Sequence, residues 1–210
     1  MFITFEGTEG GGKTTQITRL AQRLQKAGQT VRVLREPGGT PIGEEIRHTL
    51  KHSPNNAAMT SEAELLLMNA SRAQLVREVI RPALASGEIV VCDRFYDSTT
   101  AYQGYGRHLP LAVVEKIISF AVGDTKPDLT LLLHVPLEVS EARRRSRENG
   151  LVVRDRIEQA DRAFFERVEQ GFAALAAAEP SRIRWIDASA SVDAVEAAIW
   201  RELEPMLVLR

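Results

Sequence analysis

Gly7-Thr8-Glu9-Gly10-Gly11-Gly12-Lys13-Thr14 has the spacing G-x-x-x-x-G-K-[ST], whose residue types suit the binding of phosphate. Glycines let successive backbone N–H groups face one concavity, and a helix starting at the end of the loop adds partial positive charge. In such a loop Lys13 reaches the β- and γ-phosphates of a nucleotide, the Thr14 hydroxyl ligates Mg²⁺, and Gly7, Thr8, Glu9, Gly10, Gly11, Gly12 and Thr15 complete the cradle. A second marker is Val90-Val91-Cys92-Asp93, an apolar run closed by an acid. It puts Asp93 where a carboxylate faces that Mg²⁺.

Glu9 does not belong in a loop built for a polyanion unless its side chain turns toward a neutral polar group of a second substrate. A hydroxyl on an acceptor is the natural partner. Arg47, Arg72 and Arg94 supply guanidinium forks suited to a phosphate on that acceptor. Arg143-Arg144-Arg145-Ser146-Arg147 is followed by Asn149-Gly150 and Arg154-Asp155-Arg156. Arg143 and Arg147 share a helix face at i, i+4, and the turn signal within the run predicts a lid over the phosphates.

Positioning these groups requires a strand before the phosphate loop and a helix after it. Short β-rich runs at Phe2–Phe5, Val31–Leu34, Ile89–Cys92, Leu129–Val135 and Ile183–Ile186 alternate with segments of helical period. That alternation predicts an α/β fold with a five-stranded parallel sheet and helices on both faces. Glu6, Glu36, Asp93 and Asp187 stand at the carboxyl ends of strands, where such sheets collect their ligands.

Helices are predicted over Lys13–Ala27, over about Ser61–Ala85 with Pro82 kinking it or ending it early, and over Pro110–Val122 with Pro110 in the first turn. Three more are predicted over Leu137 to about Arg147, over Gln159–Ala178, and after a capping Ser191. With no repeat or Ser/Gly linker, residues 1–210 form one domain. Mobile insertions are expected at roughly 37–60 and 146–157.

Composition narrows the function. Hydrophobic residues make up 44% and charged residues 26%, as in an ordinary globular chain, and 27 Lys and Arg oppose 28 Asp and Glu. A net charge of -1 leaves no global field for a polyanion, which disfavours nucleic-acid binding. Cys92, the single cysteine, reads as a buried strand thiol. The first residues lack a signal peptide's basic and apolar regions, and no later apolar run approaches about 18 residues, so a cytoplasmic chain without membrane partners is expected. A GTPase reading fails because D-x-x-G is absent and Thr125-Lys126-Pro127-Asp128 precedes a strand instead of following one. A small kinase fits the length better than an ATPase motor.

Over essentially its whole length the chain resembles the bacterial thymidylate kinases. The likeness rests on Phe5 to Thr15 around the phosphate loop, on Arg35-Glu36-Pro37-Gly38-Gly39-Thr40, and on Asp93-Arg94-Phe95. It continues through Ser98, Ala101-Tyr102-Gln103-Gly104, Gly123-Asp124, Pro127-Asp128-Leu129-Thr130 and Asp155-Arg156-Ile157-Glu158. R-E-P-G-G and A-Y-Q-G are not general features of phosphate loops.

The resemblance implies a P-loop NTPase three-layer sandwich that transfers the γ-phosphoryl group of ATP to dTMP, with Mg²⁺, for DNA precursor synthesis. It gives catalytic roles to Lys13, Arg94, Arg147 and Glu36. Glu9 would bind the deoxyribose 3'-hydroxyl, Arg47 and Arg94 the acceptor phosphate, and Arg72 and Gln103 the thymine side, with Glu36 and Ser98 in the same pocket. Tyr102 would crowd the sugar 2' position, Arg143 would lie against adenine, and Glu36 and Asp93 would organise Mg²⁺ and its waters. The acceptor segment would span about 37–75 and the lid about 143–157. With no arginine in the phosphate loop and several in the lid, the chain looks like the lid-arginine type, and a homodimer is expected.

Met68 departs from the family's usual Phe or Tyr four residues before the base-reading arginine, and so bears on base affinity and selectivity. The alternatives are another small-molecule or nucleoside monophosphate kinase of this fold, and a nucleotide-dependent regulatory module.

Overall fold

The computed structural model describes residues 1–148, 155–157 and 159–208, with side chains for 1–143, 155–157 and 159–207. Five strands form its sheet: β1 (Phe2–Glu6), β2 (Val31–Arg35), β3 (Ile89–Asp93), β4 (Leu129–His134) and β5 (Ile183–Asp187). All pairs are parallel, in the order β2-β3-β1-β4-β5. The central strands are buried on both faces, which is why they read as continuous apolar runs. The chain leaves β1 first toward β3 and β2 and later toward β4 and β5. The crevice of this switch point therefore opens above Glu6, at the root of the phosphate loop.

Alternating residues of the sheet feed two cores. Ile3, Phe5, Val91, Leu131 and Leu133 pack with Ile17, Leu20 and Leu24 of α1 (Lys13–Lys26) and with Val195, Ile199 and Leu203 of α9 (Val192–Val208). On the other face Phe2, Val90 and Cys92 meet Leu65 and Leu75 of α3 (Ser61–Leu75) and Val114 and Ile118 of α6 (Leu111–Val122). A third cluster joins Leu132 and Tyr102 to Phe164, Phe165 and Phe172 of α8 (Arg162–Ala178). Helices thus cover both faces, as the pattern predicts.

Several predicted boundaries move. The segment 37–60, expected as a mobile insertion, holds α2 (Pro41–Lys51), started by the Thr40 hydroxyl accepting from Gly43 N at 3.0 Å. Pro82 does not end its helix. A π-turn over Val76–Ile80 precedes it, and the chain continues helically through α4 (Arg81–Ala85) before Gly87 stops it at φ +82°. The wide turn lies where the proline ring would otherwise meet the preceding carbonyls.

Pro110 is the residue before α6, not its first turn, and α8 begins at Arg162, capped by Asp161 accepting from Phe164 N at 2.8 Å. A helix that the sequence reading missed, α5 (Tyr96–Thr99), runs into a π-turn over Thr100–Gly106. α7 (Leu137–Glu148) follows β4. Residues 149–154 of the expected insertion at 146–157 lie outside the described residues.

Candidate active site

A cavity of about 510 Å³ opens at the carboxyl ends of the strands. One wall is the phosphate loop, with Glu9, Gly10, Gly12, Lys13, Thr14 and Thr15. The opposite wall combines Glu36 after β2, Arg47 of α2, Met68 and Arg72 of α3, and Ser98, Thr99, Tyr102 and Gln103 along the α5 helix and its π-turn. Asp93 and Arg94, at the end of β3, lie between them. Two sites read separately in the sequence therefore share one space.

At the phosphate end, Lys13 is buried and its Nζ donates to the carbonyls of Gly7 and Thr8, each at 3.0 Å. Burial, and then Arg94, lowers its pKa to about 8 against the pull of Asp93, Glu9 and Glu6. Gly7 sits at φ +121°, and a Cβ there would stand 2.1 Å from the Leu133 carbonyl oxygen, so β4 itself closes the loop from behind. The Ser140 hydroxyl donates to Glu9 O at 2.6 Å, and Arg143 donates to Gly10 O at 3.0 Å and Ala188 O at 3.2 Å. Arg143 thus ties α7 to the loop and to the end of β5. It is not a lining residue of the cavity. The Arg147 side chain lies outside the described residues.

Among the described residues no three His, Cys, Asp or Glu side chains form a metal cage. Thr14 and Asp93 nevertheless place a hydroxyl and a carboxylate on the cavity. Few, hard oxygen donors fit Mg²⁺, which takes most of its ligands from water and phosphate. The second oxygen of the Glu36 carboxylate is buried without a hydrogen-bond partner among the described residues, on a residue that lines the same cavity.

The acceptor end is organised by two buried carboxylates. Glu6 accepts from Phe95 N at 2.7 Å, Ser98 N at 3.2 Å and the Ser98 hydroxyl at 2.5 Å. Burial and the neighbouring Asp97 push its pKa up to about 7, against Arg94. These bonds fix the turn in which Arg94 adopts φ +68°. Arg94 then donates to the Ser98 hydroxyl at 3.0 Å and the Tyr102 hydroxyl at 3.2 Å, with its remaining donors left for the cavity. Burial alone would depress the Arg94 guanidinium, but Tyr102, Glu6, Asp93 and Glu9 raise its pKa above the ordinary arginine value.

Glu36 accepts from Arg72 Nε at 2.7 Å, and burial lifts its carboxyl above the usual range despite that cation. The Glu36-Pro37 bond is cis. Pro37 O accepts from Arg47 at 2.8 Å.

Arg72 donates further to Asn69, Thr99 and the Phe95 carbonyl. Met68 packs half-buried against the cluster of Phe164 and Phe165. Sequence reasoning missed Glu64, Thr99, Ile157 and Phe165. Glu64, Met68 and Arg72 recur at i, i+4, a spacing that marks one helix face and signalled the first of these. No local pattern signals Phe165, which reaches the cavity from α8. The Thr125-Lys126-Pro127-Asp128 segment lies at the opposite edge, where Asp128 accepts from Phe2 N at 2.7 Å, so it connects elements and reads no base. Cys92 is fully buried and its thiol is pushed up by burial and then by Glu36 and Asp93.

The family model described as thymidylate kinase matches residues 5–199. A thymidylate kinase of Alcanivorax borkumensis is 48% identical, covering 98% of this chain and 96% of that relative. Another, of Syntrophotalea carbinolica, is 50% identical over 95% of this chain and 93% of its own. The crystal structure of thymidylate kinase from Ehrlichia chaffeensis superposes with a TM-score of 0.78 at 33% identity, covering 97% of this chain and 98% of that one. With this likeness along nearly its full length, the chain belongs to the thymidylate kinase family of phosphotransferases.

Proposed function

We propose that this site transfers the γ-phosphoryl group of ATP in line to the phosphate of dTMP, within one kinase domain. The observation that carries the reading is the single cavity joining Lys13 to Arg94, Arg47 and Gln103. The acceptor's phosphate oxygen is already anionic, so no general base is required and catalysis comes from positioning and charge. Lys13 holds the β- and γ-phosphates, while Arg94 and Arg47 hold the acceptor phosphate. Thr14, Asp93 and Glu36 would hold Mg²⁺, which would supply charge neutralisation for the phosphates.

Glu9 takes the 3'-hydroxyl, Tyr102 crowds the 2' position, and Arg72 with Gln103 borders the base beside Met68. Arg143, tied to Gly10 O of the phosphate loop, lies on the adenine side, and the lid arginine expected at Arg147 has its side chain outside the described residues. A cytoplasmic setting with free ATP and dTMP goes with this reading, and no described helix is long and apolar enough to cross a membrane. The exposed apolar side chains of Leu66 on α3 and Leu111, Val113 and Phe120 on and around α6 support a homodimer through that face.

Lys13→Ala is expected to remove turnover, by about 10³-fold or more, with the fold retained. Arg94→Ala is expected to raise KM for dTMP far more than KM for ATP. Steady-state kinetics alongside circular dichroism checks both, and a Lys13→Ala enzyme with near-normal rate contradicts the assignment.

A further inference from the structure

Resting on the reading of the acceptor pocket above, we propose that Glu64 sets pyrimidine choice by fixing which end of the Gln103 amide faces the cavity. Glu64 has no exposed surface and lies on α3 one turn before Met68. Its carboxylate accepts from Gln103 Nε2 at 2.8 Å, from Arg107 Nε and Nη2 at 3.3 and 3.2 Å, and from Arg156. A carboxylate facing two guanidinium groups accepts and does not donate.

The amide of Gln103 must therefore turn its NH₂ toward Glu64. The reversed amide would press a carbonyl oxygen against a carboxylate oxygen, two acceptors with no proton between them, in a buried place. The carbonyl oxygen of Gln103 is the polar end left for the cavity that this residue lines. That oxygen can only accept.

Thymine and uracil present an N3–H donor between two carbonyls, whereas cytosine presents a bare N3 lone pair. The fixed oxygen accepts from the first and repels the second. Arg72 at the same border does not duplicate this role, because a guanidinium only donates and cannot accept from N3–H. Met68 contributes contact area without polar discrimination. Selection by one oriented acceptor is effective because the wrong base leaves buried polar atoms unpaired.

The test is a double-mutant cycle of Glu64→Gln and Gln103→Met in the full-length enzyme, read with MgATP and either dTMP or dCMP. The side chain introduced by E64Q offers a donor as well as an acceptor, which frees the Gln103 amide to turn over. The dTMP-to-dCMP ratio of kcat/KM is then expected to fall at least about tenfold, the worth of one hydrogen bond. In the Gln103→Met background E64Q should change the ratio no further.

A ratio that E64Q leaves intact, or lowers equally in both backgrounds, overturns the role of Glu64. Wild-type enzyme that dTMP does not stimulate overturns the pocket reading itself, a separate result. If E64Q does not fold, the side-chain amide of Gln103 in ¹⁵N-labelled wild type decides. Titration with dTMP should leave its bond to Glu64 in place, and loss of that bond on binding contradicts the proposal.

Discussion

Glu6 shows how one residue can matter without touching a substrate. It ends β1, one position before the phosphate loop, and accepts the three hydrogen bonds that hold Phe95 and Ser98, the residues flanking Arg94 in space. Its pKa rises from an ordinary 4.5 to about 7 on folding. The native state therefore binds more protons than the unfolded chain between those values, so stability declines as pH rises through that window and levels off above it. Glu6→Gln should remove this part of the slope in melting curves taken from pH 5 to 7.5; a variant with the wild-type slope contradicts the account. Residue types legible in the sequence were those whose chemistry is local: Lys13, Thr14, Asp93 and the anomalous Glu9. Glu6 was noticed only as a strand-end acid, because its partners are 89 and 92 positions away.

Elements were legible where packing leaves a periodic imprint. The central parallel strands are buried on both faces and read as apolar runs, and α1 shows its stripe of Ile17, Leu20 and Leu24. α2 was lost among the Gly, Pro and His of its segment, although Thr40-Pro41 is a helix start. The helix following Arg94 was missed because its Thr, Tyr and Gly residues are poor helix formers that tertiary contacts hold in place. The phosphate loop shows how element geometry restricts sequence. Gly7→Ala brings a Cβ against the Leu133 carbonyl at a positive φ, and should cost at least about 2 kcal/mol. Gly12→Ala also sits at positive φ but meets nothing within 4 Å, and should cost about 1 kcal/mol. Thermal melts of the two variants check this ordering, and a Gly7→Ala protein as stable as the Gly12→Ala protein would contradict it.

At the scale of the whole molecule, the fold class was legible but the strand order was not. No local signal says that β1 lies between β3 and β4, and it is this switch that places the phosphate loop beside the cavity wall of Arg94 and Gln103. Contributions such as Phe165 and Ile157 reach the cavity through packing between distant segments, which a single sequence does not display. In the homodimer proposed above, Phe120, 84% exposed on α6, would lie at the interface. Phe120→Glu should yield a monomer by analytical ultracentrifugation at micromolar concentration, and an unchanged sedimentation coefficient would remove that face from the interface.

In the function proposed above, one cavity holds a phosphoryl donor at Lys13 and a thymidine monophosphate opposite it. Coupled ADP release with MgATP tests it most directly, across dTMP, dUMP, dCMP, dGMP, AMP and no acceptor. Strong stimulation by dTMP is expected, with weaker stimulation by dUMP and little by the others. Release that no acceptor changes, or that another monophosphate stimulates more than dTMP does, would contradict it.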